Sequence, residues 1–408
     1  MISDLIIIGG GAAGFMGAIT AINNGLKSVL ILEGTSKVLE KVRISGGGRC
    51  NLTNSCGEIS NLVNNYPRGE KQLIGLFNRF STNEAFDWFQ SKGLSLKVEK
   101  DGRVFPRSNS SEDVIKCLTS FAKKSGVNVY TNSHVKQITS IQDGFKIIVR
   151  GDNSFLAKNI LICTGGHPSG RKLAKSLGHS IIQPVPSLFS LSTYEQTLKS
   201  CSGIAIDVHI KLLVNKKKFS DSGTILITHK GFSGPIILRL SAFSARDLHA
   251  SKYKGQLRIN WLSMKESKAR LKLDTYKFEN AKKLIFNNKP FNKLPRGLWK
   301  VLLSNLKIDN QLKWAEISKN ELDSLVKSLT SNIYFINSRG PFGEEFVTAG
   351  GVSLKEINFK TMESKICKGL FFAGEVLDID GVTGGFNFQH CWTSGWVAGK
   401  SIVLSSKN

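Results

Sequence analysis

The chain has 408 residues, 41% of them hydrophobic and 21% charged, with 24 Phe and a formal net charge of +25. This length exceeds what one hydrophobic core usually supports, and the ordinary globular balance excludes a long disordered chain, so two or three domains are expected. No apolar run reaches the ~20 residues that span a bilayer, and the first run, Leu5-Ile6-Ile7-Ile8, follows Asp4 without a basic flank or cleavage site, so a cytoplasmic protein with no membrane partner is expected.

Seven cysteines (Cys50, Cys56, Cys117, Cys163, Cys201, Cys367, Cys391) form an odd set without a CxxC pair. That argues against a disulfide framework, a zinc site or a dithiol reductase, and no metal is expected. The net charge has two readings: a nucleic-acid or acidic-membrane partner, or a lysine-rich solvated surface. The basic residues are mostly Lys and are dispersed, with short clusters at Lys123-Lys124 and Lys216-Lys217-Lys218. Bidentate phosphate recognition prefers Arg, so the solvated surface is the expectation and a nucleic-acid partner is not.

In chain order, the Leu5–Ile8 run reads as a buried parallel strand and runs straight into Gly9-Gly10-Gly11-Ala12-Ala13-Gly14. This is GxGxxG on Gly9, Gly11 and Gly14, followed by a helix over Phe15 to Asn24, a second strand at Val29–Leu32, and Glu33 at its end. The glycines permit a tight turn, backbone approach to a pyrophosphate and close helix–sheet packing; the helix N-terminus attracts phosphate, and the acid suits ribose hydroxyls. The glycine pattern by itself does not choose between FAD and NAD.

A second glycine loop follows, from Lys41 through Ser45-Gly46-Gly47-Gly48-Arg49-Cys50-Asn51-Leu52-Thr53-Asn54. It reads either as a plain turn or as a cradle for an anionic or carbonyl-rich ligand; its position directly after a dinucleotide fold favours the cradle. Val127–Tyr130 and Gly144–Val149 read as strands, and Asn159–Ile162 as a returning apolar strand that ends in Cys163-Thr164-Gly165-Gly166. His167-Pro168-Ser169-Gly170 leads into a helix over Arg171 to Leu177, and His167 reads as a solvated loop residue rather than a catalytic one.

From about Ser187 short alternating runs, Ile206–Ile210 and Thr224–Thr228, predict antiparallel strands. Helices are expected over Lys265–Leu271, Phe278–Phe286 and Leu298–Leu306, with no second GxGxxG and hence no second dinucleotide domain. Ser233 before Gly234-Pro235 reads as a helix N-cap, either only that or a helix start aimed at cofactor or substrate, with His229 close by. Near the C-terminus, Gly369–Phe372 is an apolar strand ending in Ala373-Gly374-Glu375; Asp378 and Asp380 follow, and Gly384-Gly385-Phe386-Asn387 opens a helix running to about Ser401. An acid there suits ribityl hydroxyls, and a glycine-led helix start suits the negative charge of a reduced flavin; this pair of features selects FAD.

With IIIGGGAAG, SGGGRCNLTN, GRVFP (Gly102–Pro106), THKGFSGP, VTAGGV, TMESK and FFAGEVLDIDGVTGGFN in place, the chain resembles the bacterial NAD(P)/FAD-dependent oxidoreductases of the aminoacetone-oxidase-like flavoproteins. The resemblance implies an α/β fold: a Rossmann-like FAD-binding domain with an inserted β-barrel and a small helical domain. Its expected division is 1–186 with 340–408 for FAD, 187–264 with 325–339 for the β domain, and 265–324 for the helical part. It departs from the family pattern at the short His167–Gly170 loop and at Phe386-Asn387-Phe388-Gln389-His390.

The expected cofactor set is Gly9, Gly11, Ala12, Ala13, Gly14, Glu33, Lys41, Ser45, Gly46, Gly47, Arg49, Cys50, Asn51, Thr53, Val135, Thr164, Gly165, Gly374, Glu375, Asp380, Gly384, Gly385, Phe386 and Asn387. His390, His229, Arg49 and Arg339 are the catalytic candidates. The expected activity passes a hydride between a small organic substrate and flavin N5, with reoxidation by oxygen or coupling to NAD(P)H as donor. The alternatives are a flavin-dependent RNA-modifying enzyme and a non-catalytic FAD-binding redox sensor; the oligomeric state stays open.

Overall fold

The computed structural model describes residues 2–340 and 347–405. Residues 341–346, part of the expected C-terminal segment of the FAD domain, lie outside them. Two compact units emerge: Met1–Pro184 with Val347–Asn408, and Val185–Phe346.

In the first unit, strand β1 (Ile2–Ile8) leads into helix α1 (Ala12–Asn23) and strand β2 (Val29–Leu32). β1 pairs in parallel with β2 on one side and with Ser154–Ile162 on the other. Leu370–Phe372 adds in parallel beyond Ser154–Ile162, and Asn128–Tyr130 beyond β2. Leu5, Ile6, Ile7 and the whole of β2 are buried, because helices or further strands cover both sheet faces. Strand order reverses at β1, so the loop after Ile8 opens at the topological switch point, where α/β folds bind ligands. A strand not anticipated, Val135–Ile141, forms a hairpin with Gly144–Val149; its polar-rich sequence, VKQITSI, buries only Val135 and Ile138.

The C-terminal helix Phe386–Ser405 lies against α1. A Cβ on Gly395 would sit 2.4 Å from the Ala13 carbonyl oxygen, and one on Gly399 2.5 Å from that of Gly17, so the helices meet backbone to backbone.

The second unit is a closed six-stranded barrel in the order Leu191–Thr193, Gly231–Ser233, Lys217–Thr228, Ala205–Val214, Gly255–Asn260, Asn332–Arg339. Ala205–Val214 alternates strictly, burying Ile206, Val208, Ile210, Leu212 and Val214. The same hydrophobic cluster continues through Trp261, Trp299 and Trp314 to the helices Glu266–Glu279, Arg296–Asn305 and Lys319–Thr330.

Three local expectations are corrected. The Phe278–Phe286 helix is absent: the preceding helix ends at Glu279, and the carbonyls of Ala281 and Lys283 instead accept from the amides of Ala315 and Trp314. Lys319–Thr330 is an unanticipated helix, started by a reciprocal Ser318–Glu321 capping box and burying Leu322, Leu325, Val326 and Leu329. Ser233 is not a cap: its backbone pairs with Leu226 in the barrel, Gly234 takes the N-cap at φ +92°, and Pro235 opens the helix. No helix of the described residues is long and apolar enough to cross a membrane.

The α1 contact yields a stability prediction. Gly395→Ala forces a methyl onto a backbone carbonyl and should cost about 1–3 kcal/mol. Thermal unfolding should show a Tm several degrees below that of the parent; an unchanged Tm would contradict the close packing.

Candidate functional site

The turn after β1 is built from residues that no larger side chain can replace. A Cβ on Gly9, at φ +111°, would lie 2.6 Å from the Cys163 carbonyl oxygen, and one on Gly14 would lie 2.2 Å from the Gly9 oxygen. Around Gly11, by contrast, no heavy atom comes within 4 Å of a built Cβ, so the loop faces open space. Gly11 caps α1 without a side-chain hydrogen bond, and the first helical bond runs from the Phe15 amide to the Gly11 carbonyl at 3.0 Å. The first-turn amides of Ala12, Ala13 and Gly14 therefore have no intrahelical acceptor, and the positive end of the helix dipole favours an anion there.

Glu33, at the end of β2, accepts from the Gly10 amide at 2.8 Å, the Thr35 amide at 2.8 Å and the Thr35 hydroxyl at 2.9 Å. A carboxylate offers about four acceptor positions, so one remains for a ribose hydroxyl. Val135 is buried in its hairpin, and its neighbour His134 faces Gly34.

The second glycine loop starts as helix α2 (Glu40–Gly48), which loses helical geometry at Ser45, where ψ is 150°. Gly46 and Gly47 follow in the left-handed region, and Gly47 again has nothing within 4 Å of a built Cβ. Downstream, the segment is stitched to the start of the C-terminal helix. Asn54 Nδ2 donates to the Gly384 carbonyl at 2.9 Å, and Thr53 Oγ1 donates to Gln389 Oε1 at 2.5 Å. With its amide oriented to satisfy both ends, Asn51 accepts from the Gly385 amide at 2.9 Å and donates to the Thr53 carbonyl at 3.1 Å. The Trp392 indole donates to the Leu52 carbonyl at 2.8 Å, and Tyr66 Oη donates to the Phe386 carbonyl at 2.7 Å. The first helical bond here joins the Gln389 amide to the Gly385 carbonyl, which leaves the amides of Phe386, Asn387 and Phe388 without an intrahelical acceptor. Asn387 Oδ1 accepts from the Gly381 amide at 2.8 Å and pins the preceding turn.

Lys41 and Glu375 meet at 2.6 Å beside Gly165, and Glu375 also accepts from the Thr348 amide at 2.9 Å. Gly374 lies against Ala13 and receives order from Ser394, whose hydroxyl oxygen accepts its amide at 2.9 Å. Asp380 is fully buried and holds Arg68 through a bidentate pair. Burial pushes the Cys50 and Cys391 thiols up to about 12 and raises Cys163 well above the ordinary thiol range, which makes all three poor nucleophiles near neutrality.

Of the catalytic candidates, Arg49 and His390 lie in this unit. Arg49 pairs with Glu99 at 2.7 Å and stands 4.0 Å from the Phe105 ring centroid, at the edge of the glycine loop. His390 is buried on the C-terminal helix, its Nε2 has no hydrogen-bond partner among the described residues, and burial lowers its pKa to about 4. His229 and Arg339 belong to the second unit: His229 is exposed in the turn between two barrel strands, and Arg339 ends the strand Asn332–Arg339 with its guanidinium 5.6 Å from the Tyr253 ring. His167 caps the helix Pro168–Ser176, accepting from the Ser169 amide at 3.2 Å. Tyr66, Arg68 and Gln389 were not anticipated; the only sequence signal was the Tyr66-Pro67-Arg68-Gly69 turn.

These residues fit FAD. Two glycine loops front open space, two helix starts present amides without acceptors, and Thr164, whose Cα lies next to Gly9, has a buried hydroxyl without a partner among the described residues. A dinucleotide with two phosphates and a ribose at each half supplies acceptors and donors of those kinds.

Residues 3–401 match the HI0933-like protein Rossmann domain. The chain belongs to that family. This HI0933-like chain is an FAD-dependent oxidoreductase. It is 28% identical to a 3-dehydro-bile acid delta(4,6)-reductase of Clostridium scindens, over 97% of this chain and 98% of that one. It is also 29% identical to a ribosomal RNA dihydrouridine synthase of Haemophilus influenzae, over 98% of each. Among solved structures, the 3-ketosteroid-delta4-(5alpha)-dehydrogenase of Rhodococcus jostii RHA1 shares the fold with a TM-score of 0.53 at 14% identity, covering 98% of this chain and 96% of that one.

Two predictions arise from this geometry. Glu33→Ala removes a charged acceptor next to the first glycine loop and should weaken FAD binding about 10- to 100-fold, read by flavin fluorescence titration. His390, neutral in the folded protein, has its folded pKa depressed from 6.5 to about 4. Unfolded chains therefore bind a proton that folded ones refuse as pH falls from about 6.5 to 4, and stability drops over that window by about 3 kcal/mol. Denaturant unfolding of His390→Leu should show that loss abolished between pH 7 and pH 4.

Proposed function

We propose that this flavoprotein adds two hydrogens across a carbon–carbon double bond conjugated to a carbonyl, and that its substrate is uridine within RNA. Two full-length relatives carry names that describe one chemistry. A 3-dehydro-bile acid with delta(4,6) unsaturation is a conjugated ketone, and the C5–C6 bond of uridine is conjugated to the C4 carbonyl. Net charge carries the choice between them: 56 Lys and Arg stand against 31 Asp and Glu, an excess that suits a polyanion and has no use for a steroid acid's single carboxylate. This reading replaces the expectation of a purely solvated basic surface.

The reaction places a hydride on the carbon β to the carbonyl and a proton on the α carbon. Bound in this cradle, reduced FAD would supply the hydride, and solvent would supply the proton. The amides of Phe386–Phe388, at the N-terminus of the C-terminal helix, favour negative charge where the flavin ring would lie. Arg49 gives one N–H to Glu99 and keeps others to polarise the substrate carbonyl. The proposed direction consumes a reductant, so NADH or NADPH is the proposed donor, with oxygen only a competing sink. Amine oxidation of the aminoacetone type runs the opposite way and is not part of this reading.

Purified protein loaded with FAD should be reduced with dithionite without oxygen, then given unmodified ribosomal RNA or a 4,6-dien-3-one steroid acid. Nucleoside mass spectrometry should show dihydrouridine. Steroid reduction alone would overturn the RNA substrate while keeping the bond chemistry; no product from either would overturn both. Bleaching of the oxidised flavin bands by NADH or NADPH checks the donor.

A further inference from the structure

The helix Ser111–Lys124 turns Val114, Ile115, Leu118 and Ala122 into the core. Its other stripe, Asp113, Lys116, Cys117, Ser120, Phe121 and Lys124, repeats every three or four residues and forms one wall of a cavity of about 450 Å³. The turn Lys92–Ser95 and Ser108 form the rest. None of these side chains belongs to the cofactor cradle described above.

Charge in this cavity is one-sided. Lys92 Nζ lies 5.0 Å from the centroid of Phe121 and 5.9 Å from that of Trp88, and Lys124 Nζ lies 5.7 Å from the same Phe121 ring. Two ammonium groups thus approach one aromatic ring, and Lys116 adds a third cation to the lining. Asp113 is the single carboxylate on the lining, and among the described residues none of the three lysines makes an ion pair. Three cations against one carboxylate leave a net positive lining, and an anion between the lysines reduces their mutual repulsion. Three serine hydroxyls, Ser95, Ser108 and Ser120, add donors of the kind that contact phosphate oxygens. The volume falls in the range of small-ligand pockets, larger than one phosphate requires.

We infer that this cavity is a phosphodiester-binding site that grips the backbone of the RNA substrate, with Lys92, Lys116 and Lys124 as its phosphate contacts. The inference rests on the RNA reading above. It converts part of the +25 charge from a diffuse surface property into a specific grip.

The test compares the FAD-loaded parent with K92Q/K116Q/K124Q and with a control of equal charge change, K216Q/K217Q/K218Q, on the exposed end of the Ala205–Val214/Lys217–Thr228 barrel hairpin. Binding of a fluorescent single-stranded RNA is followed by anisotropy across a salt series, and the flavin absorbance of each protein reports that it is folded. Three lost phosphate contacts should make the slope of log K against log salt shallower by about 2, at ~0.7 per contact, with the control unaltered. A pocket variant that matches the parent, or a control that falls as far, overturns the site and leaves the RNA reading standing. A parent that binds no RNA overturns both.

Discussion

The first unit depends on one contact: helix α1, from the N-terminal end of the chain, lying backbone to backbone against the C-terminal helix through Gly17, Gly395 and Gly399. Glycines replace side-chain interlock with close approach, which trades backbone entropy for proximity. That proximity is what the site requires. α1 carries the first glycine loop at its start, and the C-terminal helix carries Gly384-Gly385 at its own; packing the two fixes both sets of acceptor-free amides in one body.

A second layer of constraint is polar. Segment 51–54 has little regular structure of its own, yet Asn51, Leu52, Thr53 and Asn54 all bond to residues of 384–392. Buried side-chain bonds of this kind rigidify when every member is satisfied. Asn51 thus bonds to the protein's own backbone and Thr53 to the Gln389 side chain, while around Gly47 and Gly11 space is left open. Asp380 serves in the same structural way through Arg68, and Glu375 through Lys41 and Thr348.

Buried polar atoms without partners occur in both units. In the second, the barrel and its helices share one hydrophobic cluster, in which the Trp299 and Trp314 indoles donate to the Ile285 and Asn288 carbonyls while Trp261 Nε1 is left without an acceptor among the described residues. In the first, Thr20 Oγ1, Thr164 Oγ1 and His390 Nε2 are left without partners among the described residues, the last two on segments that border or carry a glycine-led helix start. Unsatisfied buried atoms are costly, and those of Thr164 and His390 stand on the two segments that carry or border the glycine loops.

By itself the sequence determined whatever is encoded over short spans. The strand–glycine–helix–strand–acid run from Leu5 to Glu33, the returning strand at Asn159–Ile162, the alternation of Ile206–Ile210 and the closing helix were legible because periodicity and glycine geometry are local properties. Local signals also misled: the apolar spacing of Phe278–Phe286 reads as a helix, but its carbonyls bond to residues 314–315, a segment some 30 positions away. Only the tertiary structure decided the pairings that build the site. Tyr66 with Phe386, Arg68 with Asp380 and Thr53 with Gln389 are each separated by more than 300 residues. No spacing rule reaches that far; such partners meet only because a parallel sheet brings Leu370–Phe372 beside Ser154–Ile162, itself paired with β1, and so draws the two ends of the chain together.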